Sequence, residues 1–373
     1  MKIKNFKVEQ WMNEYENDAK YNIAETCVYS ITLNELFQLV GESPEEYLKK
    51  ILDMRLTYGD IFGSPELKKG ISKLYINMKE ENILSTHGAI GANHLVLSTL
   101  VESTDRVVAV LPTYQQHYSI PESIGADVQI LRLKPENNFL PDLNELRNLI
   151  NENTKIICIN NPNNPSGSLM REDILQEIIE IARSVNAYIL CDEVYRGLNQ
   201  EEIYVKSIAD MYEKGISTSS MSKVFSLAGL RLGWIAGSKE VIEKCCVHRD
   251  YNTISCGMLD ETFAALALNN AEKILSRNKD IVRKNLRILD EWVSKEPHIS
   301  YIKPQAGTTA LLYYDFDIDS KDFCIDLIKK TGVLLTPGSC FELEKCIRIG
   351  YASSKHKIIE GLEKLSEYIR TLE

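Results

Sequence analysis

Short apolar runs rich in Val and Ile alternate along this chain with longer segments whose apolar residues recur every three or four positions. Four runs, RVVAVLP (106–112), VQILRL (128–133), KIICINNP (155–162) and AYILCDEVY (187–195), predict buried strands. DLNELRNLINEN (142–153) and REDILQEIIEIARSVN (171–186) repeat with the helical period. This alternation predicts an α/β fold, a mostly parallel sheet covered by helices on both faces. In such sheets ligands gather beyond the carboxyl ends of the strands. Polar clusters fall there: NNPNNPSG follows ICI, and DEVY follows YILC.

The texture changes near residue 265. A long helical pattern, NAEKILSRNKDIVRKNLRILDEWV, precedes strand-like ALLYYDF, a turn at Pro337-Gly338, strand-like CIRIGYA and a last amphipathic helix. We expect an N-terminal arm at 1–35, a large domain at 36–265 and a smaller α+β domain at 266–373. The length of 373 residues fits two packed domains rather than one core.

Composition narrows the function. Apolar residues make up 44% and charged residues 26%, the balance of a soluble globular protein. A formal net charge of −10 disfavours binding to a phosphate backbone. No apolar run reaches the roughly 18 residues of a membrane span. The polar N-terminus is unlike a secretory signal, so a cytoplasmic location is expected. Nine cysteines without a C-x-x-C pair predict free thiols in a reducing compartment. None of the six histidines sits in a metal-ligand pair, so no metal is expected. His117 is expected to be packed or exposed rather than part of a site.

Chemistry concentrates in STSSMSKVFSLAGLRLGW (217–234). A desolvated lysine forms an imine with an aldehyde cofactor, which would be Lys223. Ser220, Ser222 and Arg231, eight residues beyond Lys223, suit a phosphate dianion. By itself the segment reads equally as a polar loop with surface Lys and Arg.

The segment closely resembles the cofactor-lysine motif of class I/II aminotransferases, enzymes of the fold-type I architecture that bind pyridoxal 5′-phosphate (PLP). Further segments match in the same order over most of the chain. Taken singly, each reads as an ordinary loop or core residue; their joint occurrence carries the resemblance. It implies that Lys223 holds PLP as a Schiff base. LTYGDIFGSPELKKGI (56–71) implies that Tyr58 reaches the phosphate of a neighbouring subunit's cofactor. THGAIGANHLVLSTL (86–100) implies a phosphate site at Gly88, Ala89 and Ile90. Many relatives have Ser, Thr or Lys where Ile90 stands, so Ile90 offers only its main chain. PTYQQHY (112–118) implies that Tyr114 stacks on the pyridine ring. NPNNPSG (161–167) and CDEVY (191–195) imply that Asn164 and Tyr195 bond the 3′-oxygen and that Asp192 pairs with the ring nitrogen. LLTPGSCFELEKCIRIGYA (334–352) implies that Arg348 grips the substrate α-carboxylate.

The resemblance further implies a homodimer with shared sites, to which 248–257 contributes, and transfer of an amino group between an amino acid and a 2-oxo acid. The same machinery can serve β-elimination, as in a carbon–sulfur lyase. The arm NIAETCVYSITLNEL (22–36) resembles that of capreomycidine-synthase-like enzymes, which act on arginine derivatives. That implies a contact between Glu25 and a basic substrate side chain; an exposed cap acid is the plainer reading. Regulators that carry this fold join it to a DNA-binding domain, and no length for one is expected here.

Overall fold

The computed structural model describes residues 2–372. Seven strands form the large sheet: β1 (Ile83–Thr86), β2 (Arg106–Leu111), β3 (Asp127–Arg132), β4 (Thr154–Asn160), β5 (Tyr188–Asp192), β6 (Gly215–Ser220) and β7 (Gly233–Ala236). Their order is β1-β7-β6-β5-β4-β2-β3. β7 runs antiparallel to its two neighbours, β1 and β6, and every other pairing in the sheet is parallel. The four strands expected from the Val- and Ile-rich runs are β2 to β5. The run at 187–195 stops as a strand at Asp192, because the chain turns there and leaves Val194 and Tyr195 beyond the sheet.

β1, β6 and β7 lie outside the strands expected from apolar runs. β6 reads GISTSS, yet all six residues are buried. Its hydroxyls are consumed internally: Ser217 donates to Glu193 Oε2 at 2.8 Å, and Thr218 donates to Asn93 Oδ1 at 2.6 Å. A strand can be polar and buried where every polar atom has a partner. Register then sets the site. Asn160 lies opposite Asp192, and Asp192 opposite Thr218, so three adjacent strands bring polar residues to their carboxyl ends.

A second, antiparallel sheet comprises β8 (Ile299–Tyr301), β9 (Thr309–Tyr314), β10 (Thr336–Pro337) and β11 (Cys346–Gly350), in the order β10-β11-β9-β8. Helices Ala271–Val293, Ser320–Thr331 and Lys355–Ile369 accompany it.

The N-terminal residues are tied to this second sheet. After helix Lys7–Tyr15, the Trp11 indole donates to Leu335 O at 2.9 Å. Tyr21 and Asn22 pair in parallel with Val333 and Leu334. The Gly350 amide donates to Ile23 O at 2.8 Å, and Tyr29 donates to Ala352 O at 2.8 Å. Gly350 permits this close approach, since a Cβ there would lie 1.8 Å from Glu25 O. The Gly350→Ala variant should therefore displace residues 23–25 and lose about 1–3 kcal/mol, as overpacking does. Urea unfolding measures it; a midpoint equal to that of the wild type would show that residues 23–25 are not seated on Gly350.

Candidate active site

The centre of the site is Asp192, the last residue of β5, only 5% exposed. Its Oδ2 accepts from Asn93 Nδ2 at 2.9 Å and its Oδ1 from the Val194 amide at 3.1 Å. Asn93 is itself held by Thr218, so helix Gly88–Leu100 and β6 together orient the carboxylate. Burial pushes the Asp192 pKa up to about 6, against the pull of Asn93, Val194 and Lys223. Glu193 points away and serves the core, bonding Arg196 at 2.8 Å, Ser207 and Ser217. The Asp192-Glu193 pair is thus buried, not a solvated strand end.

Lys223 lies just beyond β6. Its Nζ donates to Thr26 Oγ1 at 2.6 Å and approaches Cys27 Sγ at 3.5 Å. Burial favours its neutral amine, but Cys27, Tyr195 and Glu25 outweigh it and raise the pKa. Tyr195 is 2% exposed, and its phenol pKa is raised chiefly by burial, with Lys223 opposing. Burial also pushes the Cys27 thiol up to about 11. Glu25 Oε1 accepts the Thr26 and Cys27 amides, each at 2.9 Å. Its burial favours the protonated form, yet Lys223 and those amides hold its pKa below the usual value. Glu25 is therefore no exposed helix cap.

A cradle for an anion lies on the opposite wall. Helix Gly88–Leu100 begins at His87 without a side-chain cap, so the first-turn N–H groups are left for a ligand. Gly88 has φ +69°, and a Cβ there would stand 3.2 Å from Arg231 Nη2. At Gly233, a Cβ would stand 2.4 Å from Gly88 C, so glycine lets the helix start rest on β7. Ala89, Ile90, Ser220, Ser222 and Arg231 all line the cavity at this end. Ile90 is part exposed, and its carbonyl accepts from Gln116 at 2.9 Å.

Arg348 on β11 is 3% exposed and closes the other end. It donates to Asn164 Oδ1 at 3.2 Å, Ala24 O at 3.1 Å and Thr336 Oγ1 at 3.0 Å. Its Nε has no hydrogen-bond partner among the described residues. Burial lowers its pKa from the usual guanidinium value. Tyr114 lines the cavity and donates to Glu9 Oε1 at 2.5 Å.

The cavity encloses about 290 Å³ and gathers Glu25, Ala89, Ile90, Tyr114, Asn164, Asp192, Tyr195, Ser220, Ser222, Lys223, Arg231 and Arg348. Gly88 supports its wall without lining it. Tyr58 is 75% exposed and stands outside the cavity of its own chain. His117 is fully buried, its pKa pushed down to about 4, and does not line the cavity. Sequence reasoning missed Asn93, Asn160 and the arm residues Glu9, Glu16, Thr26 and Cys27, all of which line it. Asn93 carries one signal, being the polar residue among the otherwise apolar buried positions of helix Gly88–Leu100.

These groups fit PLP. There is an amine for its aldehyde, a carboxylate for its ring nitrogen and an uncapped helix start with Arg and two Ser for its phosphate. The unpaired Arg348 Nε suits a substrate carboxylate.

Fold and site together define a PLP-dependent transferase. The model of the family "Aminotransferase class I and II" matches residues 34–365, and the chain belongs to that family. An aspartate aminotransferase of Pyrococcus horikoshii is 30% identical, covering 87% of this chain and 86% of its own length. The capreomycidine synthase of Streptomyces vinaceus is 28% identical over 98% of this chain and 93% of its own. The crystal structure of a PLP-dependent aminotransferase from Streptococcus suis 89-1591 superposes with a TM-score of 0.98 at 47% identity, covering 100% of this chain and 99% of that one.

Removing the Asn93 donor should raise the Asp192 pKa beyond about 6, because Asn93 holds it down. The ionised carboxylate is the form suited to a ring cation, so PLP affinity of the apoenzyme should fall as pH drops through that pKa. In Asn93→Ala the fall should begin at higher pH, and Asp192→Asn should lack this component. Asp192→Asn also serves as the baseline for titration of the phosphate itself. PLP titrations of apoenzyme between pH 5 and 8 read the shift; identical profiles for wild type and Asn93→Ala would assign the titration elsewhere.

Proposed function

We propose that this protein is a cytoplasmic homodimeric aminotransferase that moves an amino group between an α-amino acid and a 2-oxo acid through Lys223. The observation that carries the reading is the joint presence of Lys223, Asp192 and Arg348 in one cavity. PLP, when bound, supplies an aldehyde that condenses with amines and a ring that accepts electrons from a breaking bond at the substrate α-carbon. Asp192 keeps a proton on the ring nitrogen, and Asn93 and the Val194 amide keep Asp192 in place. Asn164 and Tyr195 would bind the 3′-oxygen, Tyr114 would lie against the ring, and Ser220, Ser222, Arg231 and the amides of 88–90 would take the phosphate. Arg348 holds the α-carboxylate, which fixes the α-hydrogen relative to Lys223. Lys223 Nζ, the one amine in the cavity among the described residues, would take the proton from the substrate α-carbon and carry it.

The dimer is supported by exposed apolar residues at two segments. Tyr58 is 75% and Tyr251 93% exposed, with Leu52 and Leu56 exposed beside Tyr58 in sequence. Residues 248–257 would cover the same interface, with Tyr58 completing the partner's phosphate site.

Borohydride reduction of the holoenzyme and peptide mapping should place the pyridoxyl label on Lys223; a label on another lysine removes the assignment. Asp192→Asn should still load with PLP at saturation yet lose turnover by several orders of magnitude. Near-normal turnover there would mean that the carboxylate does not serve the ring. A panel of amino acids read by absorbance and product mass separates amino transfer from elimination.

For the dimer, Lys223→Ala and Tyr58→Phe chains should each be impaired alone. A mixed dimer should regain one wild-type site, because Lys223 of one chain then meets Tyr58 of the other. Absence of recovery would place Tyr58 outside the shared site.

A further inference from the structure

We infer that the protein has a second ligand site, a cavity back to back with the active site, which takes a small carboxylate with an apolar or aromatic body. Its occupant acts on cofactor binding through the wall that the two cavities share.

The second cavity encloses about 590 Å³, against about 290 Å³ for the active site. Pairs of consecutive residues divide between the two. Asp192, Tyr195, Ser220 and Lys223 line the active site, while their chain neighbours Glu193, Arg196, Ser219 and Val224 line the second cavity. Ser219 and Ser220 are successive residues of β6 and face opposite ways. The other pairs continue that division, so one layer of backbone separates the ring acid and the reactive amine from the second space. Hydrogen bonds tie this layer together. The Trp234 indole donates to the Tyr75 hydroxyl at 2.9 Å, which lies 3.0 Å from Ser217 Oγ, and Ser217 donates to Glu193 Oε2 at 2.8 Å.

Leu74, Ile203, Tyr204, Phe225, Trp234 and Leu275 give the second cavity an apolar lining. Its charges decide what an occupant carries. Three lining acids are already matched: Glu193 by Arg196 at 2.8 Å, Glu201 by Arg171 at 3.2 Å and Glu202 by Arg283 at 2.5 Å. The lining lysines are not matched in this way. Lys73 bonds Asn269 Oδ1 at 3.1 Å and Lys273 bonds the Val40 carbonyl at 2.7 Å, both neutral acceptors. Lys279 has no hydrogen bond among the described residues. Against these three stands one lining acid without an ion-pair partner among the described residues, Glu272. The lining therefore carries an excess of positive charge in a chain whose formal net charge is −10. A carboxylate supplies the missing charge, and an apolar body removes the lining from water. A cationic ligand would add to the excess.

Calorimetry on the holoenzyme tests this with 4-phenylbutyrate, and with 4-phenylbutanol as its uncharged match. The acid should bind about fivefold more tightly than the alcohol, the range of a partly exposed ion pair. Joint replacement Lys73→Gln and Lys279→Gln should remove that difference. Ala271→Phe, which narrows the cavity, should weaken both ligands. Arg348→Gln, which removes the active site's carboxylate partner, should leave the binding unchanged. Binding that is lost in Arg348→Gln and kept in the other variants would put the probe in the active site and overturn the proposal. Equal binding of acid and alcohol, or no binding of either, would overturn it as well. The coupling is read in the Arg348→Gln background, where the probe is confined to the second cavity. PLP titrations of that apoenzyme with and without 4-phenylbutyrate should give affinities that differ about fivefold or more. By linkage, the probe's affinities for the apo and PLP-loaded forms should differ by the same factor. Equal PLP affinities with the probe bound and absent would overturn the shared-wall coupling and the proposal with it.

Discussion

A carboxylate removed from water must be paired or it takes up a proton, and the placement of Asp192 answers that constraint. Its donors come from two directions. Asn93 reaches down from helix Gly88–Leu100, and the Val194 amide follows from the turn after β5. The Asn160 side chain bonds the Asp192 carbonyl, which ties β4 to the same point. Asn93 accepts from Thr218, so β6 is included as well. Three strands and one helix are thereby fixed around a single acid.

This network explains why the middle of the sheet is not uniformly apolar. β6 carries four hydroxyl residues in a row, all buried. Ser217 and Thr218 face opposite sides, as successive strand residues do. One serves Glu193 and the core beyond it; the other serves Asn93 and the cavity. Residues that a transfer scale would place outside are kept inside by complementary partners. Lys223 lies three residues beyond the end of this strand and reaches the same cavity.

The arm contributes the remaining wall. Thr26 accepts from Lys223, while the Thr26 carbonyl accepts from Thr308 at 2.7 Å. The arm therefore joins the amine to the second sheet, and Arg348 reinforces the link by donating to Ala24 O. Gly350 and Gly233 make analogous allowances at the two ends of the cavity. Each lacks a Cβ where another backbone passes closer than any side chain would tolerate. The substrate end and the phosphate end are both shaped by glycine on a strand.

The apolar runs determined β2 to β5 and the long helices, because continuous Val- and Ile-rich segments and the three-to-four periodicity report burial directly. The ordered motifs around Lys223, Asp192, Asn164, Tyr114 and Arg348 pointed to residues that the fold brings into one cavity. β6 was not legible in its residues, since GISTSS is buried by virtue of partners 24 to 125 positions away. Nor was the role of Asn93, which depends on a helix turn meeting a strand end. Tyr58 stands apart from its own chain's cavity, and no single chain places it. Glu9 and Glu16 lie in a polar stretch without any motif. The Trp11 indole on Leu335 O, the Lys7 amide on Gln115 and the pairing of residues 21–22 with 333–334 carry that stretch to the cavity. Local sequence sets which segments are strands and helices through side-chain burial. Contacts between segments hundreds of residues apart decide which polar groups face one another, and those contacts exist only once the chain has folded.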